Sequence, residues 1–311
     1  MRLCLMIEGQ EGVTWPQWIA LADACERSGL EGLFRSDHYR SVDDDGPALG
    51  SLDAWTTLAG LAACTERIRL GTMVSPTTFR HPSVLGRAAT TVDHISGGRA
   101  ELGLGAGWFE REHSAFGFPF PPLGERMEVF EEQAGIIVGQ WTKGTFSYAG
   151  RHYRMDDCEA LPKPVQRPHP PVIIGGSGKR RTVDVAARLA QEYNLVSATP
   201  ADCRAARRRL DEACERHGRD PSTLVLSVMA TVLVGSDEAD VARRARRMAD
   251  AGMDDDDHST WIHGTVAQAA EQLAELAGAG VERMMLQHLM HDDLDTVHRL
   301  GAELAPAVAA L

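Results

Sequence analysis

The stretch RLGTMVSPTTFRHPSVLGRAATTVDHISGGRAELGLGAGW, residues 69–108, holds one complete strand–helix–strand unit. With Ile68 before it, IRLGTMVS (68–75) is short and apolar, as a buried strand is. HPSVLGRAATTVDHIS (81–96) reads as a helix, with Pro82 in its first turn and the pair Gly97-Gly98 beyond its end. RAELGLGAG (99–107) returns as a strand.

The same alternation runs outward in both directions. Upstream, RLCLMI (2–7) is a strand, and Trp18, Ile19, Ala22 and Cys25 recur at helical spacing until Gly29 stops the helix. LEGLFRS (30–36) is the second strand, and Asp53 can cap a helix through AWTTLAGLAACTER (54–67). Downstream, VIIGG (172–176), EYNLVSA (192–198), LVLSVMATVLVG (224–235) and RMMLQHLM (283–290) are strands. Helical stretches follow them at about 179–190, at about 201–217, twice between 238 and 279, and at the C-terminus. Eight strands, each followed by helix, in a chain of 311 residues predict a closed (β/α)8 TIM barrel. An open doubly wound sheet is the alternative arrangement.

The rhythm breaks after the fourth strand. Residues 108–122 are rich in aromatics, Gly and Pro without a period. A helix at about 125–140 follows, then a hairpin in GTFSYAGRHYRM (144–155), with Ala149-Gly150 at its turn. LPKPVQRPHPP (161–171) is extended and carries five prolines. The expected organisation is one barrel domain over 1–311, with an elaborated insertion at about 108–171.

Net charge is −12, from 32 basic and 44 acidic residues, which argues against nucleic acid or an anionic membrane as the main partner. No apolar run approaches the ~18 residues of a membrane span. The first residues read as a buried strand, not a signal peptide, so a cytoplasmic protein is expected. Six cysteines, none in a CxxC pair, are expected to be buried thiols.

In a barrel of this kind chemistry gathers at the C-terminal strand ends. Those ends carry Glu8; Asp37 and His38; Thr72 to Pro76; Gly105 to Trp108; Gly175 to Lys179; Asn194; Met229 or Thr231; and Gln287 with His288. His38 can give or take a proton near neutrality. Neighbouring strand residues point to opposite faces, so if His38 faces the mouth, Asp37 faces away and supports His38 or the loop behind it. LGLGAGW (102–108) has Trp108 where a dinucleotide fingerprint needs its third glycine. Gly105 and Gly107 instead imply close backbone approach or a positive φ, as a flat ring or a tight turn would need. IIGGSGKRRT (173–182) is a strand end, a glycine loop and a helix start, the setting for a phosphate. It is neither a Walker A loop nor a nucleophile elbow. HLMHDD (288–293) spans a strand end and a helix cap, which disfavours a metal site, and the acidic run at 254–257 reads as a solvated loop.

RSDHY (35–39), the block at 69–108, GGSG (175–178) and EYN (192–194) together resemble the luciferase-like monooxygenase superfamily, and within it the actinobacterial branch that uses the deazaflavin coenzyme F420. The resemblance covers nearly the whole chain. It implies a barrel with the ring in its mouth and His38 beside the ring as the acid–base residue. It further implies a cofactor-binding set of Asp37, Met73, Val74, Ala106, Gly107, Gly175, Gly176, Ser177, Lys179 and Asn194. Met73 and Val74 fall where such enzymes often carry a bulge with a non-prolyl cis peptide. Lys179, Arg180, Arg181 and Arg80 are candidates to offset the acidic tail of F420. The sugar-phosphate dehydrogenases of the family place a glutamate where this chain has Trp108. That departure points to a larger or more apolar substrate, in a pocket formed by Glu8, Trp108, Phe109 and His288. Phe116, Phe118 and Phe120 would add to it if the insertion closes over the site.

The expected activity is hydride transfer between F420 and a small organic molecule, by a homodimer. The alternatives are an FMN-dependent monooxygenase using oxygen and a non-catalytic flavin-binding barrel.

Overall fold

The computed structural model describes residues 1–42, 49–253 and 257–311. The strands are β1 (Arg2–Ile7), β2 (Gly32–Arg35), β3 (Arg69–Thr72), β4 (Ser75–Pro76), β5 (Ala100–Gly105), β6 (Phe146–Ala149), β7 (Arg154–Cys158), β8 (Val172–Gly175), β9 (Glu192–Val196), β10 (Val225–Gly235), β11 (Ile262–Thr265) and β12 (Arg283–Gln287). Between them run α1 (Trp15–Ser28), α2 (Ala54–Cys64), α3 (Pro82–Ser96), α4 (Glu110–Phe116), α5 (Leu123–Thr142), α6 (Arg180–Leu189), α7 (Pro200–Arg216), α8 (Glu238–Asp250), α9 (Val266–Ala277) and α10 (Leu294–Arg299).

Strands β1, β2, β3, β5, β8, β9, β10 and β12 pair in that order, all parallel, and β12 returns to β1. The sheet is therefore the closed eight-stranded barrel expected, not an open one. Helix caps follow the sequence signals: Gly29 and Gly97 end α1 and α3 in the left-handed region, and Asp53 accepts from the Thr56 N–H at the start of α2.

Parallel barrel strands are covered on both faces, inward by the barrel interior and outward by helices. Strand β12 shows the alternation. Met284 and Leu286 pack outward into the large core under the helices, while Arg283, Met285 and Gln287 point inward at the bottom, middle and mouth. The middle layer is apolar: Cys4, Met6, Phe34, Met73, Ile173 and Met285.

The insertion holds α4, α5 and the antiparallel hairpin β6–β7. Two elements differ from the sequence reading. Helix α4 lies inside the stretch that showed no period, since seven residues are too few to display one. The four residues of β11 lie between the two helical stretches expected at 238–279 and carry no strand assignment from the sequence; they pair with the outer half of β10, from Val232 to Gly235. Thr265 ends that strand and caps α9 at once, so no loop separates the two periods.

The thiols are all free. Four are buried as expected, but Cys64 is exposed and Cys158 half-buried, because α2 ends and β7 lies at the surface. Among the described residues no helix is long and apolar enough to cross a membrane. Of the acidic run at 254–257, the first three residues lie outside the described set.

Candidate active site

The C-terminal strand ends surround a cavity of about 2090 Å³. Drug-sized pockets run to roughly 1,000 Å³, so there is room for two organic molecules side by side. Its walls include Glu8, His38, Met73, Val74, Ala106, Gly107, Trp108, Phe109, Gly175, Gly176, Ser177, Lys179 and Asn194 from the candidate residues of the sequence.

One wall is built by a bulge. Gly71 pairs with Glu101 and Ser75 with Leu104, so four steps on one strand face three on the other. The extra residue falls at Met73–Val74, whose peptide bond is cis. The opposing strand has to be bare there. A Cβ on Gly103 would lie 2.1 Å from the Thr72 carbonyl oxygen, and one on Gly105 would lie 2.7 Å from Val74 Cγ2. The glycines of LGLGAG thus answer to the bulge, and they leave a flat backbone surface beside it.

A second wall is the loop from Gly175 to Lys179. The Tyr193 hydroxyl accepts from the Gly178 N–H and lies 2.8 Å from Thr182 Oγ1, which pins the loop. A side chain at Gly176 would meet that hydroxyl at 2.5 Å. Helix α6 begins at Arg180 without a side-chain cap, leaving its first N–H groups for an anion. Lys179, Arg180, Arg181 and Arg209 line the cavity around it. Arg181 is bound to Glu131 at 2.8 Å, and Arg209 reaches the Gly178 carbonyl at 3.3 Å.

His38 stands at the end of β2. Its Nδ1 lies 2.8 Å from Glu112 Oε2, and Trp108 and Phe109 meet the ring edge-on at 5.7 and 6.1 Å. The fully buried Glu112 also accepts from the backbone N–H groups of Tyr39 and Arg40. Burial alone would lower the imidazole pKa. The hydrogen bond and charge of Glu112, with Glu8 and Asp37 behind them, outweigh it and raise the pKa above 6.5. Nε2 is left as the ring nitrogen available to the cavity.

Asp37 is not in the cavity wall. It turns away, as strand alternation requires, and is buried against Ser75 Oγ and Arg80 Nη1, each at 2.6 Å. Arg80 also holds Asp53 and the Tyr39 hydroxyl, so its charge is spent inside the protein and not on a cofactor tail. Asp37 supports the loop behind His38, while His38 itself is held by Glu112.

His288 also lies outside the wall. It is buried, its Nε2 is 3.2 Å from the Asp293 carbonyl, and burial pushes its pKa down to about 4. Asp292 and Asp293 pair with Arg247 and Arg244, and Asp293 caps α10. Phe116, Phe118 and Phe120 do not close over the site. They pack with Tyr39, Phe79 and His113, fastening α4 to the barrel rim.

Sequence reading missed Glu112, Tyr193 and Arg209. Glu112 had no periodic signal, and only the folded insertion brings it to His38, 74 residues away.

Residues 4–256 match the family model described as luciferase-like monooxygenase. The FMNH2-dependent dimethylsulfone monooxygenase of Pseudomonas putida is 27% identical over 94% of this chain and 87% of its own. Pyrimidine monooxygenase RutA of Methylorubrum extorquens strain PA1 is 33% identical over 74% of this chain. The alignment spans 57% of that RutA, little more than half its length. Among solved structures, the coenzyme F420-dependent tetrahydromethanopterin reductase of Methanopyrus kandleri superposes with a TM-score of 0.81 at 20% identity, covering 98% of this chain and 99% of that one. The EDTA monooxygenase of Chelativorans sp. BNC1 gives 0.82 at 16%, covering 100% and 93%. At those identities the likeness is one of fold.

Proposed function

Because the chain belongs to the luciferase-like monooxygenase family, we propose that it is an oxidoreductase using coenzyme F420 to exchange a hydride with a small organic substrate. One observation carries this reading. A single cavity joins His38 to the glycine loop at Gly175–Lys179, with the bare backbone of Gly105 and Gly107 between them.

The residues suit a flat ring bearing a phosphate. The glycine wall and Val74 offer a smooth face, and the start of α6 offers free N–H groups. Lys179 and Arg209, with Arg180 (3.8 Å from Asp184), extend positive charge past the loop, more than one phosphate calls for in a chain of net charge −12. That surplus favours a cofactor with an acidic tail over one ending at its phosphate. When bound, a reduced deazaflavin supplies a hydride. The protein's own part is to exclude water with Trp108 and Phe109 and to hold or receive a proton at His38 Nε2. Glu112 keeps Nδ1 occupied and the ring oriented.

The relatives favour a second reading, a reduced-FMN monooxygenase, since both curated relatives above are monooxygenases and one is FMNH2-dependent by name. Fluorescence titration with both cofactors separates the two. F420 is expected to bind at about 1 μM or tighter, with FMN at least about tenfold weaker. Tight FMN binding without F420 binding would replace the first reading by the second. Turnover is then sought with reduced cofactor and a panel of carbonyl, imine and enone compounds.

A further inference from the structure

The half of the barrel mouth opposite the glycine wall is polar, and its hydrogen bonds run one way. Thr231 Oγ1 donates to Gln287 Oε1 at 2.8 Å, and Gln287 Nε2 donates to Glu8 Oε1 at 2.6 Å. From the other side, Ser36 Oγ donates to Gln10 Oε1, and Gln10 Nε2 donates to Glu8 Oε2 at 2.8 Å. Gly9 N–H in turn donates to Ser36 Oγ at 2.9 Å, which fixes the direction of that arm. Both arms therefore end on Glu8, one donor to each carboxylate oxygen.

The strands explain why these residues meet. Met6 pairs with Gln287, and Thr231 pairs with Gln287, so the ends of β10, β12 and β1 are neighbours around the rim. Glu8 follows two residues after Met6 and points inward as Met6 does.

Each oxygen of Glu8 keeps a further acceptor position. Glu8 lines the cavity, is only part-buried, and has no Lys, Arg or His within ion-pair distance among the described residues. A structural carboxylate in such a place would be expected to meet a cation, as Asp37 meets Arg80. Glu8 instead has its orientation locked by two amides and its charge left open to the cavity. The lysine and arginines of the same cavity stand at the other end, on the Gly175–Lys179 loop and at Arg209; His38 also feels the charge of Glu8 but makes its ion pair with Glu112.

We propose that Glu8 is a substrate-recognition residue, and that the substrate carries a cationic nitrogen or a strong N–H donor on an apolar body. The nitrogen makes a charge-assisted hydrogen bond to the carboxylate. The apolar body meets Trp108 and Phe109, which line the same space. Carboxylate substrates are turned away by the same charge. This assignment rests on the cavity being that of the proposed oxidoreductase.

The test is calorimetric and needs no turnover. Benzylamine, protonated near neutral pH, is titrated into the full chain beside benzyl alcohol and benzoate. Benzylamine is expected to bind one-to-one and at least about tenfold more tightly than benzoate. Glu8→Gln keeps the side chain's size and is expected to weaken benzylamine by about tenfold or more while erasing its advantage over benzoate. The comparison of ligands on the unaltered protein stands even if the variant does not fold. The proposal is overturned by benzoate binding as well as benzylamine, by no benzylamine binding, or by Glu8→Gln binding it as tightly as the parent. If benzylamine binds through Glu8 in a protein that takes neither F420 nor FMN, the proposed function fails and the ligand class stands. If a cofactor binds and benzylamine does not, only the ligand class fails.

Discussion

Replacing His38 by alanine is expected to lower turnover by about 10² or more while cofactor affinity changes little. The residue lines the cavity with one nitrogen committed to Glu112 and the other available, the arrangement a proton donor or acceptor needs. A clamp on the cofactor would give the opposite result, weaker binding with turnover intact, and that would remove His38 from the chemistry. The companion variant Glu112→Gln separates catalysis from positioning. It keeps an acceptor for the Tyr39 N–H but takes away the negative charge beside Nδ1. Burial then dominates, so the imidazole pKa falls. The limb of the kcat/KM profile that reports His38 is expected to move to lower pH, and a limb that stays put would exclude Glu112 from this role. A merely structural defect would lower activity evenly across pH.

Arg283→Met is expected to destabilise the fold by about 3–5 kcal/mol, the cost of leaving buried charges without their partner. Arg283 sits in the closed bottom of the barrel. Its Nη1 holds Glu101 at 2.7 Å and Glu192 at 2.9 Å, and its Nε holds Glu31 at 2.8 Å. Glu101 would be pushed up by its burial, but Arg283 and Arg69 hold its pKa down to about 2. Glu192 is pushed up by burial and by the neighbouring Glu101, against the pull of Arg283.

The sign for pH follows from proton counting. In the parent, the depressed Glu101 contributes stability above about pH 4.5, lost as the pH falls toward 2. Without Arg283, buried Glu101 and Glu192 bind protons more readily folded than unfolded, so the variant gains stability as the pH falls from neutral. Urea unfolding of Arg283→Met is therefore expected to show a smaller defect at mildly acidic than at neutral pH. A defect independent of pH would mean that lost packing, not unpaired charge, is what the substitution costs.

Much of the fold was legible because its signals are local. Short apolar runs with helix between them, caps such as Asp53 and Gly97, and glycines in LGLGAG each act within a few residues. The same holds for the strand-end positions that line the cavity, since alternation along a strand tells which side chain faces inward. It allowed only one of Asp37 and His38 to face inward, and the structure gives that place to His38, which takes Asp37 out of the expected cofactor-binding set. Where one residue served two periods, as Thr265 does between β11 and α9, the local signal failed and a strand was missed.

The partners of those positions were not legible. Periodicity and strand ends in the sequence determined eight strand–helix units and the strand-end residues near His38, and left a closed barrel and an open sheet as the two arrangements. Only the tertiary structure decided that Arg80 and His288 are spent inside the protein, that Glu112 holds His38, and that two amides converge on Glu8. The physical reason is that a charge or hydrogen bond acts through space. Glu8 and Gln287 are 279 residues apart in the chain and 2.6 Å apart at the rim. Only closure of the barrel, β12 against β1, brings them together.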